Sequence, residues 1–298
     1  MKLSIIIPIY NTANTLKRCV DSILQTAADD IELLLVDDGT PDNGGKIADE
    51  MAKDDARITV IHKTNGGLSD ARNSALDRMT GDYVTFADSD DEIQRGSLRC
   101  LMQRLAEMPD IDILEYPVTE RQGCSNEHVF MPDERVYGSA WQWLAERGLE
   151  HCWVWNKVFK ASLFKDIRFE KGKKYEDVYL IGELMKLCPT VATTRKGMYI
   201  YHWNADGITA ERNMILLLEA QMHIVQQLNI DTSAKEWHRL YLNMFTTQLH
   251  AYRESGRLLL PTQRIGIRRY RGASDIIKAL LLDFFGVRMA CRLFNLLK

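Results

Sequence analysis

Residues 3–11 read Leu-Ser-Ile-Ile-Ile-Pro-Ile-Tyr-Asn, an apolar run from Leu3 to Ile9 ending in Tyr10 and Asn11. A run this short and apolar at successive positions fits a strand covered on both faces, as in a parallel sheet. With one lysine before it, and Pro8 and Asn11 interrupting it, the stretch is neither a signal peptide nor a membrane span. The chain is therefore expected to begin directly in a buried strand.

Similar runs follow at Ile31–Val36, Ile58–Ile61, Tyr83–Ala87 and Ile111–Tyr116. Amphipathic segments separate them. Leu16, Val20, Ile23 and Leu24 share one helical face, a second helix is expected over Asp42–Lys53, and a third starts near Ser69 and ends at Gly81. This alternation predicts βαβ units and a doubly wound α/β fold, a mostly parallel sheet flanked by helices. Residues 119–210 are less periodic and richer in Trp, and from Thr209 to Lys298 the pattern is mostly helical. No internal repeat or low-complexity linker is visible.

The 298 residues allow two domains or one large one. With 38 basic and 41 acidic residues the formal charge is −3, which gives no basic footprint for nucleic acid. Charge is unevenly placed, however. Residues 264–298 hold Arg264, Arg268, Arg269, Arg271, Lys278, Arg288, Arg292 and Lys298 against Asp275 and Asp283, a net +6 that leaves −9 for the rest. Ile276, Ile277, Leu280, Leu281, Phe284 and Phe285 interleave with those charges, so the segment reads as an amphipathic helix lying on an anionic membrane or docked on the acidic body. No stretch is long and apolar enough to span a bilayer. The six cysteines are scattered without a C-x-x-C pair, which suits reduced thiols in the cytoplasm.

In open α/β sheets ligands sit beyond the carboxyl ends of the strands. Three predicted strands end in Tyr10-Asn11, in Asp37-Asp38-Gly39-Thr40 and in Asp88-Ser89-Asp90-Asp91, which would bring five carboxylates toward one rim. Such crowding is tolerated where a positive group or a hydrogen-bond donor sits among the acids. A hard divalent cation fits, because Mg²⁺ or Mn²⁺ held by one or two carboxylates usually completes its shell with substrate phosphates. Taken singly, Asp-Gly and Asp-Asp read as turn formers and helix caps. The turn from Tyr10 to Thr15 has no glycine, which disfavours a dehydrogenase-type nucleotide site.

The ordered set SIIIPIYN, VDDGT, NGGLSDARNSAL from Asn65 and FADSDD from Phe86 resembles the successive motifs of glycosyltransferase family 2. WNKVFK from Trp155, YEDV from Tyr175 and YHWNADGIT from Tyr201 are similar to acceptor-side motifs of its bacterial polysaccharide and lipopolysaccharide members. The resemblance covers roughly residues 3–210. It implies the GT-A fold, with a catalytic domain over 1–210 and a C-terminal helical region over 211–298. Within the domain, 1–118 would bind the nucleotide sugar and 119–210 the acceptor. One departure stands out: Gln94-Arg95-Gly96 occupies a stretch where the family usually has a proline.

The resemblance also implies roles. Asp38 would accept a hydrogen bond from the nucleotide base, with the backbone of Pro8, Ile9, Tyr10 and Asn11 walling the ring. Arg72 would contact the base or balance Asp38. Asp88 would hold the ribose or a metal-bound water, Ser89 would belong to the nucleotide-sugar site, and Asp90 would ligate Mn²⁺ or Mg²⁺ directly, with His202 as a third ligand or diphosphate contact. An acceptor hydroxyl needs a base, and Asp177 is assigned to it with Glu176 orienting the acceptor. Glu176 and Asp177 read alternatively as the acidic first turn of a helix. Trp155 could stack on an acceptor sugar or pack in the core, and Lys157 could touch the acceptor, a phosphate or a carbonyl.

The expected function is inverting, metal-dependent sugar transfer from a nucleotide sugar, of UDP type, to a glycan or lipid-linked acceptor in bacterial surface polysaccharide synthesis. The expected place is the cytoplasm, at the inner face of the cell membrane. The part beyond 211 is left to acceptor choice, homo-oligomer formation or contact with an anionic membrane. Two rivals are a nucleotidyltransferase, which lacks here its Gly-rich basic loop, and a non-catalytic glycan-binding module, which would have lost the carboxylates.

Overall fold

Alternate residues of the first apolar run face opposite sides of one sheet, as a pleated strand requires. In strand β1 (Leu3–Ile9), Ile6 enters one core while Ile5, Ile7 and Ile9 enter the other. The computed structural model describes residues 1–25, 30–204, 207, 213–228, 230, 235–263, 265 and 273–296. Arg264, Arg268, Arg269, Arg271 and Lys298 of the basic tail lie outside the described residues, as does most of the stretch after Asn204.

Strand β2 (Ile31–Asp37) pairs in parallel with β1, and β3 (Ile58–His62) pairs beyond it. Strand β4 (Tyr83–Phe86) pairs in parallel with the opposite edge of β1. The order therefore reverses at β1, and the crevice at the carboxyl ends of β1 and β4 is a topological switch point. Helices α1 (Leu16–Leu24), α2 (Gly44–Asp54) and α3 (Leu68–Leu76) form the crossovers. The third stops before the expected Gly81. There the chain must turn into β4, and the Glu32 carboxylate takes the Thr80 N–H at 2.6 Å while Ser4 Oγ takes that of Gly81 at 3.0 Å.

The sheet continues through β10 (Lys157–Lys160), which runs antiparallel between β4 and β6 (Ile113–Glu115). Then come β11 (Val191–Thr193), parallel to β6, and the antiparallel edge strand β9 (Arg135–Val136). A second sheet joins β5 (Glu92–Ile93), β12 (Tyr199–Tyr201), β7 (Val118–Glu120) and β8 (His128–Phe130) in that order. It ties the segment after Asp91 to residues 199–202.

Helix α4 (Ser97–Glu107) leads into β6, and the short α5 (Ala140–Trp143) follows β9. Helix α6 (Glu176–Met185) carries the Glu-Asp pair at its first turn. The C-terminal helices α7 (Met214–Gln227), α8 (Lys235–Ser255) and α9 (Ala273–Leu296) share a core with the sheet, in which Val84 and Phe86 belong with Leu218, Leu240 and Val287. Gly182 is the contact that lets α6 and α7 approach, since a Cβ there would lie 2.9 Å from Ile224. Among the described residues no helix is long and apolar enough to cross a membrane. The whole is a mixed α/β architecture, a large sheet flanked by helices with a helical C-terminal region.

Candidate active site

The five rim carboxylates do not play one part. Asp37 accepts from Thr40 N at 2.8 Å and pairs with His62, and so shapes the turn after β2. Asp38 is buried and takes three donors: Lys63 Nζ, Gly66 N at 2.9 Å and Gly67 N at 2.8 Å. Asp91 is buried too, accepting from Tyr199 Oη and from His202 N, both at 2.8 Å. Burial, with the charges of Asp88 and Asp90, raises the Asp91 carboxyl well above its ordinary range. Asp88 and Asp90, at the end of β4, remain partly open.

Arg72 lies where the two halves of the chain meet. Only 1% of it is exposed. Its Nη1 donates to Glu176 Oε1 at 2.8 Å and Asp177 Oδ1 at 2.9 Å, and its Nη2 donates to Asp88 Oδ1 at 3.1 Å. The guanidinium carbon stands 5.2 Å from the Phe169 ring centroid and 5.9 Å from that of Phe86. A planar, permanently charged fork suits this site, because its two terminal nitrogens can meet three acids at once, while Nε lies buried without a hydrogen-bond partner. The expected pairing of Arg72 with Asp38 is thus corrected: Lys63 balances Asp38, and Arg72 balances the acids of both halves.

Glu176 and Asp177 open α6, where the helix N-terminus favours negative charge. Tyr175, just before them, holds φ at 64°, a left-handed conformation that costs energy for a residue with a side chain. Asn11, at the end of β1, does the same at φ 56°. Asp177 Oδ2 also accepts from Val154 N at 3.2 Å. Burial raises the Asp177 carboxyl to about 7; Arg72 opposes that rise, and Glu176 and Asp88 add to it. Asp88 is raised as well, first by burial.

The other expected site residues sort clearly. Pro8 and Ile9 are buried in β1, and Tyr10 is the exposed aromatic at its end. Asn11 N donates to Thr40 Oγ1 at 2.8 Å, and Ser89 Oγ donates to Thr12 Oγ1 at 2.9 Å, so both tie rim loops together. His202 does not join Asp88 and Asp90: its Nε2 lies 2.8 Å from Glu92 Oε1, which also pairs with Arg18. The expected third ligand is thereby corrected.

Trp155 is corrected as well. It is buried, with Trp153 stacked at 4.8 Å and Tyr199 at 4.5 Å, leaving no ring face for a sugar. Lys157 is fully buried, donating to His151 O, Trp153 O and Asn156 Oδ1 and pairing with Glu115 at 3.2 Å, out of reach of any acceptor. The segment it holds includes Val154, whose N–H meets Asp177. Lys63, Tyr199, Glu92 and Glu115 were missed from the sequence. Only Glu115 left a trace, as one of two carboxylates, with Asp112, inside the run Ile111–Tyr116.

Asp88 and Asp90 present hard oxygen donors of the kind Mn²⁺ or Mg²⁺ takes. Among the described residues there is no cluster of three or more His, Cys, Asp or Glu side chains that could hold a metal by itself. The donor set therefore fits a cation shared with substrate phosphates and does not fit an all-protein cage.

Comparison with known proteins bears on the family and the fold. The model of the family described as Glycosyl transferase family 2 matches residues 4–168. Glycosyltransferase GlyA of Streptococcus pneumoniae is 32% identical over 269 residues, covering 86% of this chain and 39% of its own. The uncharacterized glycosyltransferase EpsJ of Bacillus subtilis is 33% identical, covering 70% of this chain and 62% of its own. The chain thus spans about two fifths and three fifths of the length of these two relatives. Among solved structures, S. aureus TarS 1–349 in complex with UDP-GlcNAc superposes with a TM-score of 0.63 at 18% identity, covering 95% of this chain and 90% of that one. The mannosyltransferase PcManGT of Pyrobaculum calidifontis, in complex with GDP-Man and Mn²⁺, gives 0.59 at 17%, covering 99% and 87%.

Proposed function

This chain belongs to glycosyl transferase family 2, and on that premise we propose that it transfers a sugar, with inversion, from a nucleotide sugar of UDP type to a hydroxyl of a glycan or lipid-linked acceptor. The observation that carries the reading is Arg72, which links Asp88 of the donor half to Glu176 and Asp177 of the acceptor half. Residues 1–118 bind the donor, 119–210 the acceptor, and 211–298 complete the core behind them. The setting is bacterial surface polysaccharide synthesis, lipopolysaccharide included, on the cytoplasmic side of the membrane.

The base ring lies against the backbone of Pro8 and Ile9 beside Tyr10 and Asn11. A carboxylate offers about four acceptor directions, so Asp38, with three taken, keeps one for a base N–H. Asp88 and Ser89 face the ribose. Asp90 and the outer oxygen of Asp88 would hold Mn²⁺ or Mg²⁺, which when bound neutralises the charge developing on the departing diphosphate. His202 steadies this rim through Glu92.

Asp177 takes the proton. The acceptor oxygen bonds to the anomeric carbon as the bond from that carbon to the diphosphate oxygen breaks, and the hydroxyl proton passes to the Asp177 carboxylate. A carboxyl held near neutrality is matched to this work at physiological pH. Glu176 orients the acceptor, and Arg72 keeps both acids in place without reaching the substrate.

Thermal unfolding with a panel of nucleotides tests the donor and metal together. UDP with Mn²⁺ should raise the melting temperature, EDTA should cancel the rise, and Asp90→Ala should abolish it. Mass action at a hundredfold excess over Kd is worth ~2.7 kcal/mol. No shift with any nucleotide would overturn the proposal.

A further inference from the structure

Helix α9 is apolar on two faces, and only one of them is used by the body of the protein. Ala279, Leu282, Val287, Ala290 and Cys291 are buried in the core shared with the sheet. This is the docked helix that the sequence offered as one alternative. On the other side Ile277, Met289 and Leu296 are exposed, with Phe284 at 75% and Phe285 at 52%. Single exposed apolar residues are ordinary, but a contiguous set marks a surface that meets something.

The backbone concentrates this set. Gly286 has φ 67° and ψ 170°, which breaks α9 into two helical pieces. Phe284 and Phe285 stand immediately before the corner. Beyond it, Arg288, Met289, Arg292 and Leu296 follow at helical spacing and are all exposed. The acids of the same element are engaged elsewhere: Asp275 lies 3.9 Å from Lys278, and Asp283 accepts from Ile265 N at 2.6 Å. From α8, Arg253 donates to Phe294 O at 2.8 Å and covers the Phe294 ring, which adds a further cation at this end. The corner thus presents apolar rings flanked by arginines, with no free acid on the element to repel an anion.

We propose that the outer face of α9, with Phe284 and Phe285 at its corner and Arg288 and Arg292 beside them, is the surface by which the protein rests on an anionic lipid bilayer. Aromatic rings enter the boundary between headgroups and acyl chains, while long arginine stems let the guanidinium groups reach lipid phosphates. Arg288 and Arg292, exposed beside the rings, are complementary to such a surface, whereas a second copy meeting this face with its own would bring like charges together. The inference rests on the membrane location proposed above and gives it a physical means.

Vesicle cosedimentation of the full chain, needing no turnover, tests it. Binding to phosphatidylcholine vesicles with about one third phosphatidylglycerol should exceed binding to phosphatidylcholine alone by roughly tenfold and should fall with salt. Phe284→Ser with Phe285→Ser should lower it by roughly tenfold, and Arg288→Glu with Arg292→Glu should remove the preference for anionic lipid. All four side chains are exposed, so nucleotide-sugar turnover without vesicles should be unchanged in both variants. Equal binding to both vesicle types, or no loss in either variant, overturns the proposal. So does a dimer in sedimentation velocity that the Phe284→Ser and Phe285→Ser changes dissolve. Failure of sugar transfer with intact vesicle binding would strike the function proposed above and leave this surface standing.

Discussion

Replacing Asp177 by Asn should make the protein more stable at pH 8 while removing most of its activity. Burial holds this carboxyl at about 7, against 3.8 in an unfolded chain. The folded state therefore binds the proton more tightly than the unfolded state, and stability falls as pH rises through the window from about 4 to about 7. Above that window the ionised, buried Asp177 costs ~4 kcal/mol. An Asn carries no charge and so escapes this cost, and Arg72 keeps Asp88 and Glu176 as partners. Against the gain stands one bad contact: an amide oriented to satisfy Arg72 turns its NH₂ toward Val154 N–H, a loss of ~1 to 2 kcal/mol. The net gain at pH 8 is ~2 to 3 kcal/mol. A chain of 298 residues unfolds with an entropy of about 0.6 kcal/mol/K, so the melting temperature should rise by ~3 to 5 °C. At pH 4 both proteins carry a neutral group there and the gain should vanish or reverse. Differential scanning calorimetry at the two pH values measures this, and release of the nucleotide product measures the loss of turnover, ~10² to 10⁴-fold for a general base. A variant no more stable than the parent at pH 8, or one stabilised equally at pH 4, would refute the account of Asp177 as a buried carboxyl held near neutrality.

Two further expectations concern Asp177 and the buried Lys157–Glu115 pair. The wild-type kcat/KM should climb as pH rises through about 7, because Asp177 must be deprotonated to act; a flat profile between pH 5 and pH 8 would place the base elsewhere. Lys157→Met alone should cost ~3 to 5 kcal/mol by leaving Glu115 buried and unbalanced. Adding Glu115→Gln, which still offers Trp143 Nε1 an acceptor, should recover much of it, and additive urea-unfolding free energies would contradict the pairing.

The half of the fold built from βαβ units was legible because each strand is a local run with turn residues after it, as in Leu3–Ile9 followed by Asn11 and Ile31–Asp37 followed by Gly39. Strand β10 was not, since a strand of four residues that inserts antiparallel between β4 and β6 leaves no period to read. The small second sheet escaped for the same reason, its strands being two or three residues long. At the site, the motifs pointed to the rim but could not say which acid each donor would take. Lys63 reaches Asp38 across 25 positions and Arg72 reaches Asp177 across 105, distances over which side-chain pairing is set by packing alone. Trp155 and Lys157 looked like acceptor contacts because aromatic and cationic residues near a catalytic acid invite that reading. Their ring faces and donors are spent inside the protein.

The position of β10 also bears on how the chain comes to be folded as it leaves the ribosome. Strands β1 to β4 can pair once residue 86 has emerged, but β6 cannot join them until residues 157–160 slot in between. Until then β4 is an open edge, the kind that recruits strands from other chains. A nonsense codon between residues 86 and 157 would therefore release an aggregation-prone half-sheet, whereas one shortly after 160 would release a chain able to cover β4. The contact between Arg72 and Asp177 closes later still, so a nascent chain is sticky before it can be active.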